Sequence, residues 1–246
     1  MCRHLGYLGP TCSVGELITR GPCSLLTQSW SPKDMRGGGT INADGYGAAW
    51  WGDAGAEHYR TSAPMWTDTA GLQTLTSVRS GAVLAAARSA TVGMPVVATA
   101  AAPFVDDRWA FSHNGVVRGW PRSMAVLAEQ LPVTELLTMD APTDSALLWA
   151  LLRARLDRYA PDEAVAGLVC EVGAAAPGSR LNLLVSDGTQ LIATTWVHSL
   201  SYLEGPDYVV IASEPYDDDP AWQAVPDHHV VTARPGHVTV TKLELR

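Results

Sequence analysis

The chain has 246 residues, 47% hydrophobic and 17% charged, with a formal net charge of −8. That length and apolar content suit one sizeable domain with its own core better than two small ones. The acidic balance argues against a nucleic-acid surface, no apolar stretch reaches the roughly 18–20 residues of a membrane span, and no basic-then-apolar leader opens the chain.

The first element begins almost at once. Met1-Cys2-Arg3 leads into an apolar run from His4 to Leu8, which reads as a strand. If Met1 is trimmed, Cys2 carries a thiol and a free α-amine on one residue. The thiolate is a strong nucleophile, and an α-amine with a pKa of roughly 7.7–8.0 can act as a base near neutral pH. A small residue after Met1 favours trimming, so Met1 is expected to be removed. Taken alone, a cysteine in second place is commonplace. The four cysteines, Cys2, Cys12, Cys23 and Cys170, form no CxxC and no metal-ligand spacing with histidine. A chain of this size needs no disulfide, so a cytoplasmic protein with reduced thiols is expected. His228-His229 reads as a solvated loop rather than a metal site.

Further along, Asn42-Ala43-Asp44-Gly45-Tyr46-Gly47 is a turn entering a strand over Gly45 to Trp51. It lacks the helix and glycine spacing of a nucleotide fingerprint. Asp68 is placed to cap a helix carrying Leu72, Leu75 and Val78. The apolar run from Val83 to Arg88 is a strand, continued by Ser89-Ala90-Thr91. An arginine leaving a buried strand can clamp a carboxylate or simply pair with a surface acid. A strand over Trp109 to Ser112 leads into His113-Asn114-Gly115. Asn-Gly there makes either a turn or an oxyanion hole, with the Asn114 amide and Gly115 N–H as donors. Thr143-Asp144 precedes a helix from Ser145 to Leu156. Either residue can cap it; if Thr143 does, Asp144 is available for an ammonium group. Asp162 to Val172 forms another helix with Pro161 near its start. Leu181 to Val185 and Leu191 to Trp196 make a hairpin around Ser186-Asp187-Gly188. Tyr208 to Ala212 and Val238 to Leu243 are further strands. Antiparallel strands mixed with a few helices define an α+β class, a layered sandwich rather than a regular βαβ fold.

Met1-Cys2-Arg3, Asn42-Ala43-Asp44-Gly45, Arg88-Ser89-Ala90-Thr91, His113-Asn114-Gly115 and Thr143-Asp144-Ser145, in this order, resemble the glutaminase domain of class II glutamine amidotransferases. These are a branch of the N-terminal nucleophile hydrolases. Ala212-Ser213-Glu214-Pro215 also matches, and the likeness runs from Cys2 to about Trp222. It implies a four-layer αββα sandwich and a single glutaminase-like domain over 1–246. It implies Cys2 as nucleophile, Asn114 and Gly115 as oxyanion donors, and Arg88, Thr91 and Asp144 around a γ-glutamyl head, with no metal and no organic cofactor. Within the family, the opening His4 to Gly9, Gln28-Ser29-Trp30-Ser31-Pro32, Arg36-Gly37-Gly38-Gly39-Thr40 and Arg88 to Pro95 look most like the ergothioneine-pathway branch. The resemblance thus implies hydrolysis of the γ-glutamyl amide of γ-glutamyl-hercynylcysteine S-oxide. The partner is then a small molecule, with no nucleic acid, membrane or obligatory protein partner. Three departures, Ala101-Ala102 before Pro103-Phe104, Ala146 after Thr143-Asp144-Ser145, and Val92, stand where many relatives carry polar residues. They favour a stand-alone hydrolase over a subunit that supplies ammonia to a synthase; a non-catalytic binding module is the other alternative. A trimethylammonium tail suits an aromatic face, which makes Trp30, Trp50 and Trp51 candidates for reading it.

Overall fold

The structure, a computed structural model, describes residues 2–36, 41–106 and 108–244. The chain opens with β1 (Arg3–Ser13), α1 (Val14–Thr19) and α2 (Leu25–Gln28), then β2 (Tyr46–Gly52), β3 (Gly55–Thr61), α3 (Thr69–Ser77) and β4 (Arg79–Ala87). The middle holds β5 (Phe104–Val105), β6 (Ala110–Val116), two short helices α4 (Ala125–Ala128) and α5 (Val133–Leu137), and the longer α6 (Asp144–Leu156) and α7 (Pro161–Ala175). It closes with β7 (Arg180–Ser186), β8 (Leu191–Thr194), β9 (Ser201–Glu204), β10 (Val209–Ala212), β11 (Gln223–Ala224), β12 (His229–Arg234) and β13 (His237–Lys242).

The strands form two antiparallel sheets, ordered β11-β9-β10-β1-β4-β2-β3 and β13-β12-β8-β7-β6-β5. Side-chain alternation then fixes the layers. On β1, Leu5 and Tyr7 join Leu17, Ile18, Leu25 and Leu75 of the small helices on one face. Leu8 faces the other way and meets Leu84, Leu184, Leu191 and Ile211 between the sheets. On β6, Phe111 packs under α6 and α7 with Leu148, Leu152, Val165 and Leu168. The order is helices, sheet, sheet, helices: the four-layer αββα sandwich. The run Val83 to Ala87 is continuous and apolar because β4 is covered on both faces.

Local chemistry sets the helix boundaries. Asp68 caps α3, its Oδ1 accepting the Gly71 N–H at 2.9 Å. Thr143 caps α6, its hydroxyl accepting the Ala146 N–H at 3.2 Å. Pro161 sits in the first turn of α7, followed by Asp162 and Glu163 at its positive end. The β7–β8 hairpin turns through Gly188 at φ +81°, where Trp51 lies so close that a Cβ would sit 2.6 Å from the ring.

Three expectations are corrected. The strand expected to end at Ser112 runs on to Val116, because Asn114 and Gly115 pair with Asn182 and Leu181 of β7, so the Asn-Gly pair is not a turn. Val78 lies just outside α3 as its C-terminal cap, with extended backbone. His229 begins β12 instead of lying in a loop, since it pairs with Lys242. The glycine run 37–40 after Arg36 lies outside the described residues.

Leu184 is fully buried between the two sheets. Leu184→Ala should cost about 2–5 kcal/mol, read as a lower urea midpoint at unchanged slope. A loss below about 1 kcal/mol would mean that the inter-sheet layer is not tightly packed.

Candidate active site

The register of the central strands gathers the marked residues at one end of the sandwich. Arg3 pairs with Ala87, the last residue of β4, and Tyr46 at the start of β2 pairs with the same Ala87. Cys2, Arg88 and the Asn42–Gly45 turn therefore leave the sheet at one edge. The half-buried Cys2 Sγ lies 3.8 Å from the Ser89 carbonyl oxygen. A cavity of about 20 Å3 beside it is also lined by Arg88, Ser112, His113 and Ser145. The thiol thus faces β6 of the second sheet and the start of α6. The guanidiniums of Arg3 and Arg180 both interact electrostatically with Cys2, although burial is the larger influence on each and lowers both.

Arg88 is buried, and its Nη1 donates to the carbonyls of Pro95 (2.9 Å) and Asp44 (3.5 Å). Among the described residues it forms no ion pair. The turn before β2 builds this corner. Asp44 and Arg88 are joined through their backbones, and the Asp44 carboxylate accepts the Ala90 N–H at 2.7 Å. Asn42-Ala43-Asp44-Gly45 is therefore a clamp on the segment after Arg88. Thr91 is exposed and lines a second pocket of about 380 Å3 together with Gly93, Val117, Arg118 and Trp120.

Asp144, at the start of α6, bonds the backbone of Val117 in the wall of that pocket. It is 4% exposed; Oδ2 accepts the Val117 N–H at 2.9 Å and Oδ1 accepts the Ser145 N–H at 2.8 Å. Thr143 performs the capping, which leaves Asp144 a buried carboxylate with unused acceptor capacity and no ion pair among the described residues. A buried cation and a buried anion, neither one neutralised by an ion pair, suit a zwitterionic ligand head.

Asn114 is fully buried on β6. Its amide nitrogen lies 3.4 Å from Ser213 Oγ, which also accepts the His4 N–H at 3.0 Å, while Asn114 Oδ1 has no partner. Exchanging the amide oxygen and nitrogen keeps the shape. It lets the Ser213 hydroxyl donate to the amide oxygen and frees both N–H groups for an oxyanion. At Gly115, a Cβ would stand 1.8 Å from the Arg180 carbonyl oxygen, so only glycine fits. His113 is braced from both sides: Nε2 donates to the Arg180 carbonyl at 2.9 Å and Nδ1 meets Ser145 Oγ at 3.0 Å.

Three residues with weak sequence signals support this arrangement. Arg3, 1% exposed, pairs with buried Glu214 at 3.0 Å and also donates to the Asp34 carbonyl. Glu214 accepts the Lys33 N–H at 2.7 Å. His198 has no signal at all; Asn182, opposite Asn114, holds its backbone N–H and carbonyl at 3.2 and 3.0 Å. The tryptophans differ from expectation. Trp50 pairs with Val83, four residues along β4 from Ala87 and so about 13 Å from the site edge. Trp51 bonds the Arg108 carbonyl at 2.8 Å and covers Gly188. Both are packing residues, because β2 runs away from the site after its first turn. Trp30 is 42% exposed and stands edge-on to Trp66.

Residues 22–207 match the family of class-II glutamine amidotransferases, and the chain belongs to that family. It is 44% identical to a gamma-glutamyl-hercynylcysteine sulfoxide hydrolase of Mycolicibacterium smegmatis, over 99% of this chain and 100% of the relative. Identity to the protein of the same name from Mycobacterium tuberculosis is 43%, over 99% of this chain and 97% of that one. Among solved structures, a glutamine aminotransferase class-II domain protein from Silicibacter pomeroyi superposes with a TM-score of 0.70 at 21% identity, covering 98% of this chain and 99% of that one. The glutamine phosphoribosylpyrophosphate amidotransferase of Bacillus subtilis gives 0.65 at 13%, covering 99% of this chain and 50% of that one. At these identities the structural likeness is one of fold.

Burial first, and nearby cationic and histidine side chains second, push His4 and His198 down to about 3. An unfolded histidine titrates near 6.5, so between about pH 3 and 6.5 the unfolded chain binds protons that the folded chain refuses. Stability from these groups is complete above about pH 6.5 and is lost as pH falls toward 3. The melting temperature should fall across that window, and His198→Asn should flatten the slope. An unchanged slope in the variant would contradict this account.

Proposed function

We propose that this chain hydrolyses the γ-glutamyl amide of γ-glutamyl-hercynylcysteine sulfoxide, releasing glutamate and hercynylcysteine sulfoxide in ergothioneine biosynthesis. The observation that carries this reading is 44% identity, across nearly its whole length, to a hydrolase named for that substrate. The chain acts as one glutaminase-like domain over 1–246. A cytoplasmic setting agrees with its four free cysteines.

In this reading Met1 is removed, and the α-amine of Cys2 takes the thiol proton through a water. The thiolate attacks the amide carbonyl, and the Asn114 amide and Gly115 N–H receive the oxyanion. The tetrahedral intermediate collapses, breaking the C–N bond, and the protonated Cys2 amine gives its proton to the leaving amine. Water then attacks the γ-glutamyl thioester, restoring the thiol and releasing glutamate. Arg88 binds the α-carboxylate and Asp144 the α-ammonium, with Thr91 closing over the head. The lack of ion pairs at Arg88 and Asp144 among the described residues supports these roles.

Cys2→Ala should fold and lose essentially all turnover. Asn114→Ala should lower kcat by about 10²–10³ with little change in KM, because its contact matures in the transition state. Arg88→Ala should slow glutamine, γ-glutamylcysteine and the conjugate alike. The wild-type enzyme should prefer the hercynyl sulfoxide conjugate strongly in kcat/KM. Equal rates on glutamine and the conjugate would discard this substrate and favour a general glutaminase.

A further inference from the structure

A cleft of about 780 Å3 lies between Lys33–Arg36 and the segment from Ser213 to Val225. Ser213 connects it to the reacting centre: its hydroxyl is 3.4 Å from the Asn114 amide nitrogen and 3.0 Å from the backbone nitrogen of His4, two residues after Cys2. In the reading above the glutamyl head lies with Arg88, Asp144 and Thr91, none of which lines this cleft. The leaving amine therefore needs another space, and this cleft reaches Ser213, the residue bonded to both Asn114 and His4.

Its lining is chemically selective. Asp217, Asp218 and Asp219 stand on one wall with Trp222, and Lys33, Asp34 and Arg36 stand on the other. Asp34 is occupied by Arg36 at 2.9 Å, and Lys33 reaches Asp218 at 3.6 Å, which leaves the Trp222 wall with an excess of negative charge. The indole is fixed in place. Its Nε1 donates to Asp217 at 2.8 Å, and Tyr216 meets it edge-to-face, with centroids 5.1 Å apart. A quaternary ammonium has no N–H to donate, so hydrogen-bonding acceptors gain little from it. An aromatic face within a field of carboxylates is the arrangement that binds it.

We infer that this cleft is the subsite for the leaving amine's betaine tail, with Trp222 and the Asp217–Asp219 run holding the trimethylammonium. This rests on the substrate proposed above and replaces Trp50 and Trp51 as readers of the tail.

The test compares wild type, Trp222→Phe, Trp222→Ala and the double variant Asp218→Asn/Asp219→Asn. Substrates are the hercynyl sulfoxide conjugate and plain γ-glutamylcysteine, with hercynine as a competitor against the latter. Trp222→Ala should lower kcat/KM on the conjugate about tenfold and weaken hercynine inhibition by a similar factor, as expected for a desolvated cation–π contact. Hydrolysis of γ-glutamylcysteine should stay within about twofold of wild type, and Trp222→Phe should keep most of the preference. The two aspartates are exposed, so their replacement leaves the fold intact; it should reduce conjugate turnover and its salt sensitivity. Equal slowing of both substrates by Trp222→Ala, or unaltered conjugate kinetics and hercynine inhibition in both the Trp222→Ala and aspartate variants, would overturn the subsite while leaving the proposed reaction standing. Failure of the wild type to cleave the conjugate, with hercynine not inhibiting, would overturn both.

Discussion

The buried ion pair between Arg3 and Glu214, 3.0 Å long, is the constraint on which the arrangement at the site depends. Chain termini ordinarily fray, and the nucleophile proposed at residue 2 requires an ordered one. The pair takes two charges out of water, so it stabilises only because its geometry is supported. That support comes from the Lys33 N–H on Glu214 and from two hydrogen bonds beside it, His4 N–H to Ser213 Oγ and Ser213 N–H to the His4 carbonyl. β1 lies inside its sheet, between β10 and β4. Cys2 is thus held by the residue that follows it. Removing the Arg3 charge would leave the buried Glu214 carboxylate without its cation, at about 3–5 kcal/mol.

From that anchor the rest of the corner follows in space. Arg88 leaves β4 where Arg3 enters β1, and the Asn42–Gly45 turn holds the segment beyond it. The second sheet brings Asn114 and Gly115 within reach through Ser213, and α6 brings Asp144. Among the described residues each contributes a polar group without its natural partner: a guanidinium without an ion-paired carboxylate, a carboxylate without an ion-paired cation, an amide with an orphaned oxygen. Such groups lower stability, and their concentration in one place marks binding chemistry rather than packing.

Much of this was legible in the residues. Continuous apolar runs gave the central strands because those strands are covered on both faces, and Asp68, Thr143 and Pro161 marked helix starts through local hydrogen bonding alone. β3, with its mixed polar pattern at a sheet edge, and the two-residue β5 and β11 gave no usable periodicity. The motifs gave the site residues individually, but not their partners. Nothing local to Arg3 says that it will meet Glu214, 211 positions later, and nothing near His198 says that Asn182 will hold it. Asn114-Gly115 carried a turn signal that strand pairing overrode. The tryptophans misled because aromatic residues next to a marked turn can lie on a strand that runs away from it. Trp222 and the three aspartates before it carry no motif, and only the cleft sets them beside Ser213.

The central claim is that Cys2, freed of Met1, carries the γ-glutamyl group as a thioester. The most direct measurement is mass spectrometry of the purified active enzyme, intact and then digested after acid quenching during turnover of the conjugate. The account predicts a chain lacking Met1 and a γ-glutamyl increment on the N-terminal peptide at Cys2, absent from Cys12, Cys23 and Cys170. Full activity from a chain that retains Met1, or an increment on another cysteine, would contradict it.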